Sequence, residues 1–333
     1  MSIDTTAPAA TTPSATNDPT APTYDNRTAF ADELIRLART DERIVAVCND
    51  SVGSSNLTAF RDEFPSRLIN VGIAEQDMVG VGAGLASSGM IPFVCAAAPF
   101  LTGRSLEQVK ADVAYSQHNV ILCGMSPGMA YGELGPTHHS VEDLSWLRAL
   151  PGLDIIVPAD RLQTRQAVRA AVANPRPTFI RVGRHKVPDV TPEGTELVRG
   201  RFQQIRAGRD VTFIVTGTVV SRAIEAAAVL AESGIEARVL NASYIAPLDV
   251  EAIVAAARET SAIVTAEEAN IAGGLGAAVA SVVSQLEAGA RVPLRILGLT
   301  EFAPTGSTDF LLNYFGLSSA HLVTAAREAR AHA

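Results

Sequence analysis

Three side chains have the type and the setting to do chemistry. Glu75 closes the run Asn70-Val71-Gly72-Ile73-Ala74-Glu75, and Gln76-Asp77-Met78 follow. An apolar strand ends there, Gly72 permits a tight turn, and the carboxyl lands in the first turn of a helix. In parallel α/β sheets, ligands collect at this strand-to-helix edge. The plainer reading is an acidic residue favoured by the helix dipole alone. His138 closes the loop Gly132-Glu133-Leu134-Gly135-Pro136-Thr137-His138. An imidazole can change charge near neutral pH, although taken alone it reads as a loop histidine with satisfied hydrogen bonds. His139 beside it is expected to point elsewhere. Arg184 follows an apolar strand and reads either as a surface arginine or as a clamp for a phosphate or other acidic group.

The elements that must position these residues alternate along the chain. Residues 28–38 are amphipathic, with Phe30, Leu34 and Leu37 on one face. Apolar strands are expected at 44–48, 68–71, 91–97, 120–124, 154–157 and 178–182, with helices at 73–88, 106–116, 141–148 and 162–173. Continuous apolar strands separated by helices predict a mainly parallel sheet covered on both faces. Residues 188–200 are rich in Pro, Gly, Thr and charge and mark a boundary. A second unit follows, with strands at 211–216, 237–241, 262–266 and 294–298 and helices at 219–232, 250–257 and 277–287. It reads as a smaller α/β domain with a helical end.

Composition narrows the function. The 333 residues are 47% hydrophobic and only 5% aromatic, which favours close helix-to-sheet packing. The formal net charge of -8, with no basic block, argues against a nucleic-acid partner. The three cysteines, Cys48, Cys95 and Cys123, sit in apolar surroundings at no metal-ligand spacing, as buried reduced thiols of a cytoplasmic protein would. No basic stretch followed by an apolar run opens the chain. Residues 79–103 carry no charge, but their Gly and Pro punctuation reads as a helix, a turn and a strand rather than a membrane span. Residues 1–23 hold too few large apolar groups to offset their ordering entropy and are expected to be a disordered tail.

Several of these segments, in this order, resemble the transketolase family. The stretch from Asn70 to Met78 resembles the glutamate motif of transketolases and deoxyxylulose-phosphate synthases, G-I-x-E before a small-residue helix. Asp50 with Ser54-Ser55-Asn56-Leu57 resembles D-L-x-x-S-N-L with one extra residue, and Gly132 to His138 resembles G-E-D-G-P-T-H. Ile180-Arg181-Val182-Gly183-Arg184 resembles the strand that ends in a phosphate-binding arginine. Further on, Ile245-Ala246-Pro247-Leu248-Asp249, Glu267-Glu268 and Gly273-Gly274-Leu275-Gly276 resemble the family's C-terminal domain. The resemblance implies two α/β domains. A thiamine-diphosphate pyrimidine-binding parallel-sheet domain spans 24–190, and a smaller transketolase C-terminal domain spans 201–333, with a linker at 191–200.

It also implies roles. Glu75 would meet N1′ of the cofactor's aminopyrimidine and share a proton with it, which promotes the imino form that deprotonates thiazolium C2. That chemistry requires burial to raise the carboxyl pKa by more than the helix N-terminus lowers it. Phe100 would lie against the pyrimidine, with Asp50 and Ile73 also on the cofactor side. His138 would serve the carbonyl oxygen of the donor substrate, Arg184 its acidic end, and Arg27 and Ser55 the substrate channel.

Four departures from the family pattern follow. Leu134 stands where the family has an aspartate that recognises the hydroxyl beside the reacting carbon, and Ser126, followed by Pro127, stands where it has a histidine. Ala97 and Gly103 replace aromatics flanking Phe100. Leucine cannot accept a hydrogen bond, and an unpaired hydroxyl buried against it would cost about 1–3 kcal/mol. The expected substrates therefore differ from the usual sugar phosphates: a modified, amino-, deoxy- or less hydroxylated sugar, or another keto compound.

Neither G-D-G nor N-N, the family's diphosphate and metal signature, occurs in the chain. The metal, Mg2+ or Ca2+, needs oxygen ligands, expected from a separate chain that carries the diphosphate-binding domain. The resemblance thus implies a split transketolase, two copies of each chain, moving a two-carbon ketol unit from a ketose-like donor to an aldehyde. The rival readings are a 2-oxo-acid dehydrogenase β subunit and a non-catalytic interaction subunit. Gly-Pro-Thr-His and Arg184 disfavour the first, and Glu75 the second.

Overall fold

The computed structural model describes residues 21–332. Most of the expected tail, residues 1–20, lies outside the described residues. Its last residue does not: β1 (Thr23–Tyr24) pairs antiparallel with β8 (Val187–Pro188).

The first unit runs on from β1 through α1 (Asn26–Ala38), β2 (Ile44–Cys48), α2 (Thr58–Glu63), β3 (Leu68–Asn70), α3 (Glu75–Ser87), β4 (Ile91–Ala97), α4 (Ala98–Gly103) and α5 (Leu106–Gln108). A π-helical stretch, Val109–Tyr115, continues α5. Then come β5 (Ile121–Met125), α6 (Asp143–Arg148), β6 (Asp154–Ile156), α7 (Arg161–Ala173), β7 (Thr178–Val182) and β8. The second unit holds β9 (Gln203–Arg206), β10 (Val211–Val215), α8 (Val219–Glu232), β11 (Ala237–Asn241), β12 (Tyr244–Ala246), α9 (Val250–Glu259), β13 (Ile263–Asn270), α10 (Leu275–Ser284), β14 (Leu294–Leu299), α11 (Thr308–Tyr314) and α12 (Ser319–Ala331).

Every residue of β2, β5 and β7 is buried, as strands covered on both faces must be. The large sheet has the order β12-β6-β7-β5-β4-β2-β3, parallel throughout except for β12. The second sheet, β14-β13-β10-β11-β9, is parallel except for β9 at its edge. The two-domain α/β reading therefore holds, with one difference. Tyr244–Ala246 belongs to the second stretch of sequence yet completes the first sheet by pairing with β6. The segment expected to be a linker is tied down at both ends. Asp160 accepts the backbone N–H groups of Val190 (2.8 Å) and Thr191 (2.6 Å), and Arg199 pairs with Asp154 at 2.6 Å.

The units lock together around Arg181, buried in β7. Its guanidinium donates to Asp143 of α6 (2.8 Å), to the Ser140 carbonyl (2.9 Å) and to the Glu268 carbonyl of β13 (2.9 Å). The Glu268 carboxylate in turn accepts from the Met129 N–H (2.6 Å) and the Thr218 hydroxyl (2.7 Å). Gly128 has φ 65°, and a Cβ there would collide with that carboxylate, so only glycine lets the loop approach. The loop so held carries His138. Arg181→Met would leave Asp143 buried without its charged partner, with only the Leu144 N–H still donating to it, and breaking such a pair costs about 3–5 kcal/mol. We expect that loss in denaturant unfolding, with part of it recovered when Asp143→Asn is added.

Glu267 is wholly buried and caps α10, accepting the N–H groups of Leu275 (2.7 Å) and Gly276 (2.8 Å). Burial pushes its carboxyl up to about 7 against the pull of those N–H groups and of Arg181 and Arg148. Its ionised form is thus disfavoured in the folded chain. Its contribution to stability falls as pH rises from the ordinary carboxylate range towards 7 and is level above that. Glu267→Gln should remove this slope, about 3 kcal/mol across the window, in thermal melts at stepped pH.

Candidate active site

Parallel strands place their carboxyl ends on one edge, and the singled-out residues follow those ends. Glu75 enters after β3, Phe100 after β4, Ser126 after β5 and Arg184 after β7. Gly72, at φ 75°, makes the turn that starts α3 at Glu75. The Glu75 side chain is only 3% exposed. It accepts from Asn49 Nδ2 at 2.7 Å and from Arg104 Nη1 at 3.0 Å to each oxygen. Arg104 also lies over the Phe100 ring, 4.3 Å from its centroid. Phe100 meets His138 edge-on at 5.3 Å, and His138 meets Tyr131 at 6.1 Å. The Arg184 guanidinium stands 5.0 Å from the Tyr131 ring. Glu75, Arg104, Phe100, His138, Tyr131 and Arg184 thus form one continuous row.

The other predicted residues are placed less uniformly. Arg27 spends its charge on Asp25 at 2.6 Å and donates to the Ser54 carbonyl at 2.9 Å, so it braces the loop that holds Ser55. Ser55 is fully buried, its hydroxyl 3.3 Å from that of Ser51. Asp50, at φ 70°, accepts from Asn70 Nδ2 at 3.0 Å and ties β2 to β3. Ser126 is fully buried with its hydroxyl unpartnered. Ile73 is 78% exposed and Leu134 54% exposed, two apolar side chains on the open rim. His139 is buried with both ring nitrogens unpartnered, and burial pushes its pKa down.

Sequence reasoning missed Asn49, Arg104 and Tyr131. Arg104 carried a faint signal, since it follows Phe100 by one helical turn and must share its face. The contest at Glu75, left open by the sequence, goes against burial in this chain. Burial pushes the carboxyl up, but its own backbone N–H, the Asn49 amide and the Arg104 guanidinium outweigh that and hold it below the usual carboxylate range. In the chain by itself, burial does not win.

The Arg104 guanidinium tests what the site can hold. It is flat, presents N–H groups to a carboxylate and offers a face to an aromatic ring. An aminopyrimidine is likewise flat and presents its own ring edge and face, so the residues present fit that half of a thiamine cofactor. Among the described residues, no three His, Cys, Asp or Glu side chains gather as a metal site would need. Among them, too, no helix is long and apolar enough to cross a membrane.

The family profile described as "Transketolase, pyrimidine binding domain" matches residues 23–190, and that described as "Transketolase, C-terminal domain" matches residues 200–322. The chain belongs to the transketolase family. Membership implies thiamine diphosphate as the cofactor. The chain is 46% identical to an apulose-4-phosphate transketolase subunit of Phocaeicola vulgatus, over 91% of this chain and 96% of that one. It is 39% identical to the 6-deoxy-6-sulfo-D-fructose transketolase subunit SqwH of a Clostridium species, over 91% of this chain and 93% of that one. A solved structure described as "Split gene transketolase, inactive beta4 tetramer" superposes with a TM-score of 0.85 at 35% identity, covering 92% of this chain and 99% of that one. These transketolase relatives are themselves subunits of about this length.

Proposed function

We propose that this chain is the pyrimidine-side subunit of a split, thiamine-diphosphate-dependent transketolase. It moves a two-carbon ketol unit from a ketose-like donor with an acidic end to an aldehyde acceptor. The observation that carries this reading is the row from Glu75 through Phe100 and His138 to Arg184, open along one sheet edge.

Thiamine diphosphate, when bound, supplies the nucleophilic carbon and the electron sink for breaking the bond beside a ketone. Glu75 shares a proton at N1′ of the pyrimidine and Phe100 supports the ring face, with Ile73 and Asp50 at its border. His138, held at Nδ1 by Thr137 at 3.0 Å, presents its other ring nitrogen to the carbonyl oxygen of the donor. Arg184 is exposed, and among the described residues none pairs with its charge, so it can fork onto an anion. Arg27 and Ser55 shape the loop behind the channel. Residues 24–190 meet the cofactor and residues 201–333 brace the His138 loop through Glu268. A separate cytoplasmic chain supplies the diphosphate domain and its Mg2+ or Ca2+, in an assembly of two copies of each.

Leu134 and Ser126 leave one wall of the pocket less polar, which supports substrates other than the usual sugar phosphates. The relatives' names, which specify a 4-phosphate and a 6-sulfo sugar, fit both an unusual sugar and an anion at Arg184.

The test is reconstitution with the partner chain and a kinetic panel. Phosphate- or sulfo-bearing modified ketoses should give the highest kcat/KM. If xylulose 5-phosphate with ribose 5-phosphate is best, the substrate reading falls; if 2-oxo acids are best, the reaction class falls. Glu75→Gln should lower kcat at least about a hundredfold while circular dichroism of the chain stays unchanged. Leu134→Asp should improve a donor that carries the neighbouring hydroxyl roughly tenfold, through one recovered hydrogen bond.

A further inference from the structure

The buried carboxylate of Glu75 has a partner that the proposed reaction does not use. A carboxylate this deeply buried is costly unless it is paired and hydrogen-bonded. Asn49 supplies one fixed hydrogen bond at the end of β2. Arg104 supplies the charge from the C-terminal cap of α4, one turn beyond Phe100. Among the described residues, its side chain makes no hydrogen bond or ion pair except to Glu75. Its own side chain is 51% exposed, so the tip has a way out to solvent.

Two contacts define where the guanidinium sits. It lies 4.3 Å over the Phe100 ring, and it presents one N–H group to both Glu75 oxygens at 3.0 Å. A flat heterocycle lying on the aromatic face, its ring nitrogen sharing a proton with the carboxylate, would take the same place. The guanidinium and such a ring cannot occupy the place together.

We infer that Arg104 is a positioning residue that stands in for the cofactor's aminopyrimidine in the cofactor-free chain, keeping Glu75 paired and aimed at the ring's place until the ring displaces it. The inference rests on the reading that Glu75 and Phe100 face that ring. Arg104 stabilises the cofactor-free site and competes with cofactor entry. An ordinary structural residue would support both states, and an ordinary cofactor ligand would support only the loaded one.

The experiment compares the wild-type chain, Arg104→Met and Arg104→Lys. Thermal melts are taken on each chain alone, and calorimetric titration with thiamine diphosphate is done on each chain reconstituted with its partner. Met keeps the apolar stem and removes the charge. The Met variant alone should melt about 2–4 °C lower, and its reconstituted pair should bind thiamine diphosphate about fivefold tighter. Lys should recover most of the melting temperature, because it keeps the charge. In a Glu75→Gln background, Arg104→Met should no longer change the melting temperature. Equal or weaker cofactor binding by the Met variant overturns the inference and leaves the functional reading standing. No binding of thiamine diphosphate by the wild-type pair overturns both.

Discussion

One buried guanidinium holds the frame of this protein together. Arg181 sits inside the large sheet, paired with Asp143 and bound to the carbonyls of Ser140 and Glu268. Those partners belong to a helix, a loop and a strand of the other sheet. A charge so placed tolerates no loose partner, because each lost hydrogen bond leaves it unsolvated. The loop bearing His138 is therefore drawn to one position, and Glu268, itself steadied by Thr218, holds its other side through Met129. The second unit contributes no residue to the row from Glu75 to Arg184, yet that row depends on it.

Glu75 presents the opposite situation: a buried charge on an edge left open. Its surroundings contain one rigid donor, Asn49, and one long, half-exposed cation, Arg104. The carboxylate is stable before the cofactor arrives, and the cation is the replaceable part. The rim beside it carries exposed Ile73 and Leu134, apolar side chains that the described residues leave uncovered. A site with one finished wall and an uncovered rim is what a single subunit of a split enzyme offers.

Much of the fold was legible because strands buried on both faces leave a plain mark. The expectation at 44–48 matches β2, and that at 178–182 matches β7, since uninterrupted apolar runs admit little else. Elements without such a mark were missed. Helix α4 runs straight on from β4 through uncharged residues, so no change of pattern announces it. Strand β12 is three residues long and pairs across the unit boundary, and no local periodicity encodes a partner so distant. Composition marked the linker as a boundary without showing its anchors, whereas Asp160 and Asp154 bind it from elements far away in sequence.

The sequence by itself determined the family, the parallel sheet and the strand ends at which Glu75, Phe100 and Arg184 emerge, because these follow from local patterns and ordered motifs. It also stated the contest at Glu75, burial against the helix N-terminus, without deciding it. The tertiary structure decided that contest: beside Glu75's own backbone N–H, Asn49 after β2 and Arg104 at the end of α4 reach the carboxylate and tip the balance towards the ionised form. It likewise decided that Ser55 turns inward and that Tyr131 joins His138 to Arg184. Each of these depends on distances between segments remote in sequence, and electrostatic and packing energies act through those distances rather than through the order of residues.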